Sequence, residues 1–325
     1  MTSAPPQPPT DAREAFFAAR AALPGTVDLS VRIGSLTLAN PVMPASGCFG
    51  PALGRLLPAD ELGAVVTKTV FGTPRGGNAA HRLTEIHAGM VNSVGIPSRG
   101  AAGYLAELHP RYLELGVPVI ISVGGHRPGE YAPVISDLHG AGDAYELNVS
   151  CPNLDRLGTD IGADPEAILT VVRSARRATD KPLIVKLPVL ASSIAECALA
   201  AQEAGADSVC VANSIPALPL QPHTRSPALG NIIGGLSGPS IRPIVLRLVW
   251  LAARAVEIPV IACGGIATVD DALDYFSVGA RAVQVGTANF GRPFAMVEIV
   301  RALGQRCADD QAVGIRDLID LWRVQ

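Results

Sequence analysis

The chain lacks the signatures of several common functions. Its six cysteines include no Cys-x-x-Cys pair and its six histidines no His-x-x-x-His pair, so a zinc site has little support. Scattered thiols without a framework spacing suit a reducing compartment. No uninterrupted apolar run approaches the length needed to cross a bilayer, so no integral membrane segment is expected. The proline-rich Met1 to Thr10 stretch has no apolar core of the signal-peptide kind and reads as part of a partly disordered lead-in over residues 1–28. There is no basic excess: 26 Lys and Arg stand against 29 Asp and Glu, a formal charge of −3, and nucleic acid is not the expected partner. A Gly-x-Gly-x-x-Gly turn after an early strand is missing too, which counts against a doubly wound dinucleotide-binding sheet. The expectation is a cytoplasmic protein.

What the chain does have is a series of short apolar runs bounded by glycine, proline or polar residues. Eight read as buried parallel strands: 41–45, 63–68, 117–123, 144–150, 182–187, 208–213, 258–264 and 282–288. Amphipathic or alanine-rich stretches lie between them, most clearly at 165–178, 191–204, 239–255 and 268–278. Repeated strand–helix units without an internal linker predict an α/β fold, a single (β/α)8 TIM barrel over residues 29–325. Two connections, 69–99 and 214–237, are too long for turns and follow strand ends on the face where barrel sites form.

Candidate site residues sit at those strand ends. Tyr145-Glu-Leu-Asn148-Val-Ser-Cys151-Pro-Asn153 ends the fourth predicted strand. Asparagine amides both donate and accept, which suits a planar polar ring, and a thiol between them can exchange a proton with it. The alternative is a small buried thiol with two asparagines capping the next turn. Lys68 closes the second run, and Lys186 nearly closes the fifth. Buried lysine requires an anion or strong acceptors, whereas snorkelling at the barrel rim would be the plainer role. Gly264-Gly265 and Gly286-Thr287 follow strands seven and eight, the recurrent phosphate location of barrels. Gly238 precedes Pro239 and can offer another close backbone approach or a simple turn. Asn213-Ser214 and Asn92-Ser93 add polar pairs to the same face.

The ordered motifs resemble the catalytic subunits of class 1B dihydroorotate dehydrogenases. The resemblance spans residues 29–305. It runs through Asn40-Pro41, Ala45-Ser46-Gly47, Thr67-Lys68-Thr69, Pro74-Arg75-Gly76-Gly77-Asn78 and Asn92-Ser93-Val94-Gly95. It continues through Asn148 to Asn153, Lys186-Leu187, Asn213-Ser214, Gly234-Gly-Leu-Ser-Gly-Pro239, Cys263-Gly-Gly265 and Val285-Gly-Thr-Ala-Asn-Phe290. The Gly-Gly-Leu-Ser-Gly-Pro and Gly-Thr-Ala-Asn-Phe segments are similar to class 1B rather than to fumarate-using relatives. Departures include Cys48 where threonine is more usual, and Pro188-Val189-Leu190 after Lys186-Leu187.

The resemblance implies oxidation of dihydroorotate to orotate in pyrimidine biosynthesis. Cys151 would remove the C5 proton, FMN would accept the C6 hydride, and Lys68 would be the second catalytic residue. FMN would be held by Ala45, Ser46, Lys68, Asn148, Lys186, Gly238, Gly264, Gly265, Gly286 and Thr287. Substrate would meet Lys68, Asn92, Ser93, Val94, Gly95, Ile96, Asn148, Asn153, Asn213 and Ser214, with backbone N–H groups from Asn92 to Gly95 offered to a carboxylate. It also implies a homodimer joined to separate subunits carrying FAD and a two-iron two-sulfur cluster. One alternative is an FMN-dependent ene-reductase or dehydrogenase of another pyrimidine-like heterocycle. Another is a flavin-binding subunit without turnover.

Overall fold

Eight short parallel strands form the core: β1 Val42–Pro44, β2 Val65–Val66, β3 Val119–Gly124, β4 Ala144–Asn148, β5 Leu183–Leu187, β6 Ser208–Val211, β7 Val260–Cys263 and β8 Ala282–Val285. The computed structural model describes residues 27–150, 161–189 and 193–319. Neighbouring strands follow the order β1-β8-β7-β6-β5-β4-β3-β2. The ends of this series meet at a seam where the Gly63 N–H donates to the Val42 carbonyl at 2.9 Å. The result is a nearly closed (β/α)8 TIM barrel. Strands buried on both sides need no alternation, which is why they read as continuous apolar runs.

Helices cover the outside. The main ones are α1 Tyr131–Asp137, α2 Pro165–Ala178, α3 Ile194–Glu203, α4 Arg242–Ala255, α5 Val269–Ser277 and α6 Ala295–Asp309. Their starts are written locally. Asp164 accepts from the Glu166 N–H, Ser193 from the Glu196 N–H, and Thr268 with Asp271 forms a reciprocal capping box. The apolar stripe of α2, Ile168, Val171, Val172 and Ala175, faces the barrel at helical spacing. An antiparallel ribbon of residues 31–33 and 36–38 precedes β1.

The two long connections are not independent loops. Residues 83–86 and 89–92 form a hairpin, residues 215–217 and 234–237 form a second pair, and Gly235 pairs with Asn92 across the two. Both excursions therefore merge into one four-stranded antiparallel sheet over the carboxyl ends of the barrel strands. Its inner residues wall the cavity described next.

Candidate active site

A cavity of about 940 Å³ opens at the carboxyl end of the barrel, under the antiparallel sheet. It draws on most of the strand ends. Ala45 and Ser46 come from β1, Lys68 from β2, Asn148 from β4, Lys186 from β5, Asn213 and Ser214 from β6. Gly264 and Gly265 come from β7, and Gly286 and Thr287 from β8. Asn92, Val94, Gly95, Ile96 and Gly238 reach it from the excursions. Ser93 does not line it. Ser93 is buried, its hydroxyl accepts from Asn78 and Asn231 at 2.9 and 3.2 Å, and its N–H is already given to the Arg82 carbonyl. Cys151 and Asn153 lie outside the described residues.

One wall is a continuous polar array. The Asn148 amide donates to Thr69 Oγ1 at 3.1 Å and accepts from the Ser150 hydroxyl at 3.0 Å. Asn213 Nδ2 donates to Ser150 Oγ at 2.6 Å and lies 3.4 Å from Asn148 Oδ1. Thr69 also meets Ser46 at 3.3 Å and Ser122 at 3.0 Å. Each amide is thus held in one orientation by its neighbours, and a fixed pattern of donors and acceptors is what orients a planar ring.

The lysines share a small volume. Lys186 is buried, and its Nζ donates to Gln284 Oε1 at 2.8 Å and to Cys263 Sγ at 3.3 Å. Burial opposes its charge, but Cys210, Cys263 and Glu146 outweigh burial and hold the ammonium above the ordinary lysine range. A Cβ placed on Gly47 would meet Lys68 Nζ at 3.4 Å, so that glycine leaves room for the amine. Burial and Cys263 push the Cys48 thiol up to about 11, although Lys186 and Lys68 both pull it down. Cys48 is therefore a protonated thiol at neutral pH rather than a base.

The opposite rim is glycine backbone packed at contact. Gly265 has φ +72°, and a Cβ there would lie 2.7 Å from Arg242 Cβ and 3.0 Å from the Gly238 carbonyl. A Cβ on Gly238, at φ +105°, would come within 2.7 Å of Gly89 Cα. The Tyr275 hydroxyl donates to the Gly264 carbonyl at 2.6 Å and ties this rim to α5. Thr287 donates to Ser237 at 2.8 Å and closes the gap to the antiparallel sheet. The α4 helix starts just behind, and Asp271 and Asp274 pair with Arg242 there. Bare backbone N–H groups near a helix start suit a phosphate.

Sequence reasoning gave no role to Thr69, Ser150, Ser237, Cys263 or Gln284. The first four stood inside motifs quoted for the resemblance. Gln284 carried no signal beyond a polar residue within an apolar strand.

A barrel whose strand ends surround a polar cavity belongs to the enzymes that act at the carboxyl-end mouth. The comparisons narrow that class. The dihydroorotate dehydrogenase family model matches residues 28–307. A dihydroorotate dehydrogenase B (NAD(+)), catalytic subunit, of Trichlorobacter lovleyi is 41% identical over 295 residues, covering 90% of this chain and 97% of that protein. Proteins of the same name from Desulforudis audaxviator and Geobacter sulfurreducens are 42% and 40% identical, covering 91% of this chain in each case and 96% and 99% of theirs. The chain is a member of the dihydroorotate dehydrogenase family, of its class 1B catalytic subunits, and an oxidoreductase. Among the described residues no helix is long and apolar enough to cross a membrane.

Proposed function

We propose that the chain oxidises dihydroorotate to orotate with bound FMN, in the cytoplasm. The observation that carries this reading is the meeting, in one cavity, of the Asn148–Ser150–Asn213 array with two lysines and a glycine rim. The residues fit FMN chemically. The glycines at 238, 264, 265 and 286, with Thr287, would take its phosphate. Ala45, Ser46 and Asn148 would border the ring system, and Lys68 and Lys186 its polar edge. FMN, when bound, supplies the acceptor for the hydride that leaves C6 of the substrate.

The chain's own residues do the rest. Asn92, Asn148, Asn153, Asn213 and Ser214 would orient the pyrimidine ring by its carbonyl and N–H groups. Lys68 and the Val94–Ile96 segment would meet its carboxylate; the Ser93 N–H, committed to Arg82, is withdrawn from that set. Cys151 follows Ser150, which lines the cavity, and its thiolate would take the C5 proton. The positive charges would favour the negative charge that builds up as the substrate is oxidised.

An anaerobic titration tests the substrate. Dihydroorotate, dihydrouracil and dihydrothymine are added separately to protein purified with its flavin. Rapid bleaching by dihydroorotate with stoichiometric orotate is the expected result. Bleaching by another heterocycle and none by dihydroorotate would replace this substrate.

The proposed assembly is a homodimer with separate subunits carrying FAD and a two-iron two-sulfur cluster, passing electrons toward NAD. The relatives' names support this through the words "catalytic subunit" and NAD(+). Co-purification at native abundance, with cofactor analysis, should recover both extra cofactors. Efficient NAD reduction by the lone chain would contradict the assembly.

A further inference from the structure

TIM-barrel interiors are usually layers of branched aliphatic side chains. Beneath this cavity the interior is polar instead. Glu146 on β4, Lys186 on β5, Cys210 on β6, Cys263 on β7 and Gln284 on β8 all point inward and are buried. Gln284 Nε2 donates to Glu146 Oε2 at 2.6 Å, and Gln284 Oε1 accepts from Lys186 Nζ at 2.8 Å and from Cys210 Sγ at 3.4 Å. Glu146 Oε1 has no hydrogen-bond partner among the described residues.

The chemistry of the two ends fixes the middle. A carboxylate only accepts and an ammonium only donates. The amide between them has one workable polarity: nitrogen toward Glu146, oxygen toward Lys186. Without Glu146 the amide nitrogen loses this acceptor, and the polarity rests on the Lys186 and Cys210 donors alone. We infer that Glu146 and Gln284 are positioning residues for Lys186: the buried carboxylate aims the Gln284 carbonyl, and the carbonyl holds the Lys186 ammonium at the cavity floor against the polar edge of FMN. Cys263 takes a second Lys186 N–H, which leaves a third to face the cavity. The raised affinity of Lys186 for its proton agrees with this arrangement. The inference rests on the FMN reading above and names what makes its lysine effective.

The test is FMN affinity of the reconstituted full-length protein, followed by fluorescence quenching and the visible spectrum of the bound flavin. Glu146→Leu should raise the FMN dissociation constant about ten- to hundredfold, the range for losing a hydrogen bond to a charged group. Glu146→Gln keeps an acceptor for Gln284 and should stay within about threefold of wild type, because a threefold change is a small fraction of one such bond. Lys186→Met should bind FMN as weakly as Glu146→Leu, with the same spectral change, and the double variant no more weakly than Lys186→Met alone. Gln284→Met gives the same readings if Glu146→Leu does not fold.

Wild-type affinity in Glu146→Leu or Gln284→Met would overturn the inference, as would Glu146→Gln as weak as Glu146→Leu. Additive losses accompanied by a lower Tm would mark the network as structural and also overturn it. Wild-type protein that takes up no FMN would remove the functional reading itself. FMN uptake by the wild type with unchanged variants removes only the inference.

Discussion

Cys151→Ala should slow the reduction of bound FMN by dihydroorotate by roughly 10²–10⁴-fold, the usual contribution of a positioned acid or base. FMN should remain bound, because none of the glycine rim is altered. Cys151→Ser should be slowed less, yet still severely, since a hydroxyl gives up its proton far less readily than a thiol of pKa about 8.5. The wild-type rate should climb with pH as thiolate forms, and the serine variant should show no such rise in the neutral range. Stopped-flow absorbance of the flavin, under anaerobic conditions at several pH values, reads the reduction step apart from turnover. Wild-type rates in both variants would take the base role away from Cys151. Cys48 could not inherit it, because its thiol is pushed up to about 11 and stays protonated near neutrality.

The barrel was legible because its strands are buried on both faces. Seven of the eight apolar runs contain their strand whole, and the run over 117–123 stops one residue short of the Gly124 end of β3. The run over 208–213 holds the strand Ser208–Val211, and Ala212 and Asn213 turn off into the cavity. The helical stretches over 165–178 and 268–278 meet α2 and α5 closely, and the caps at Asp164 and Thr268 that start them are bonds between near neighbours in sequence. The antiparallel sheet over the cavity was not legible in register. Gly234–Ser237 is glycine-rich and lacks alternation, and its partner Gly89–Asn92 is over a hundred residues away.

Site residues divide in the same way. Those at strand ends announced themselves by chemistry that does not belong in an apolar run, as with Lys68 and Lys186. Ser93 looked the same in sequence but, one residue past the strand 89–92, meets Asn78 and Asn231 instead of the cavity. The Glu146–Gln284 contact joins residues 138 apart on β4 and β8. Only the closure of the barrel brings such residues together, so a single sequence carries no trace of the pair.

Gly265→Ala should cost the protein most of its FMN, with a dissociation constant raised on the order of a hundredfold, equivalent to about 2.7 kcal/mol. The argument is steric. Gly265 sits at φ +72°, where an L side chain costs of order 1–2 kcal/mol by itself. The added Cβ would then lie 2.7 Å from Arg242 Cβ and 3.0 Å from the Gly238 carbonyl, closer than carbon atoms pack. Relief requires the β7 turn and the start of α4 to part. Those are the two backbone segments proposed to close on the phosphate, and parting them lengthens and bends the N–H contacts that an anion would need. The fold itself should survive, because the strain is confined to the rim and the barrel strands below are untouched. Far-ultraviolet circular dichroism and Tm of the apoprotein, set beside FMN titration, separate the two effects. A Tm lowered by a few degrees with FMN affinity lowered a hundredfold is the expected pair. An equal fall in Tm with wild-type affinity would show that this glycine serves the turn alone, and the phosphate would have to be sought elsewhere on the rim.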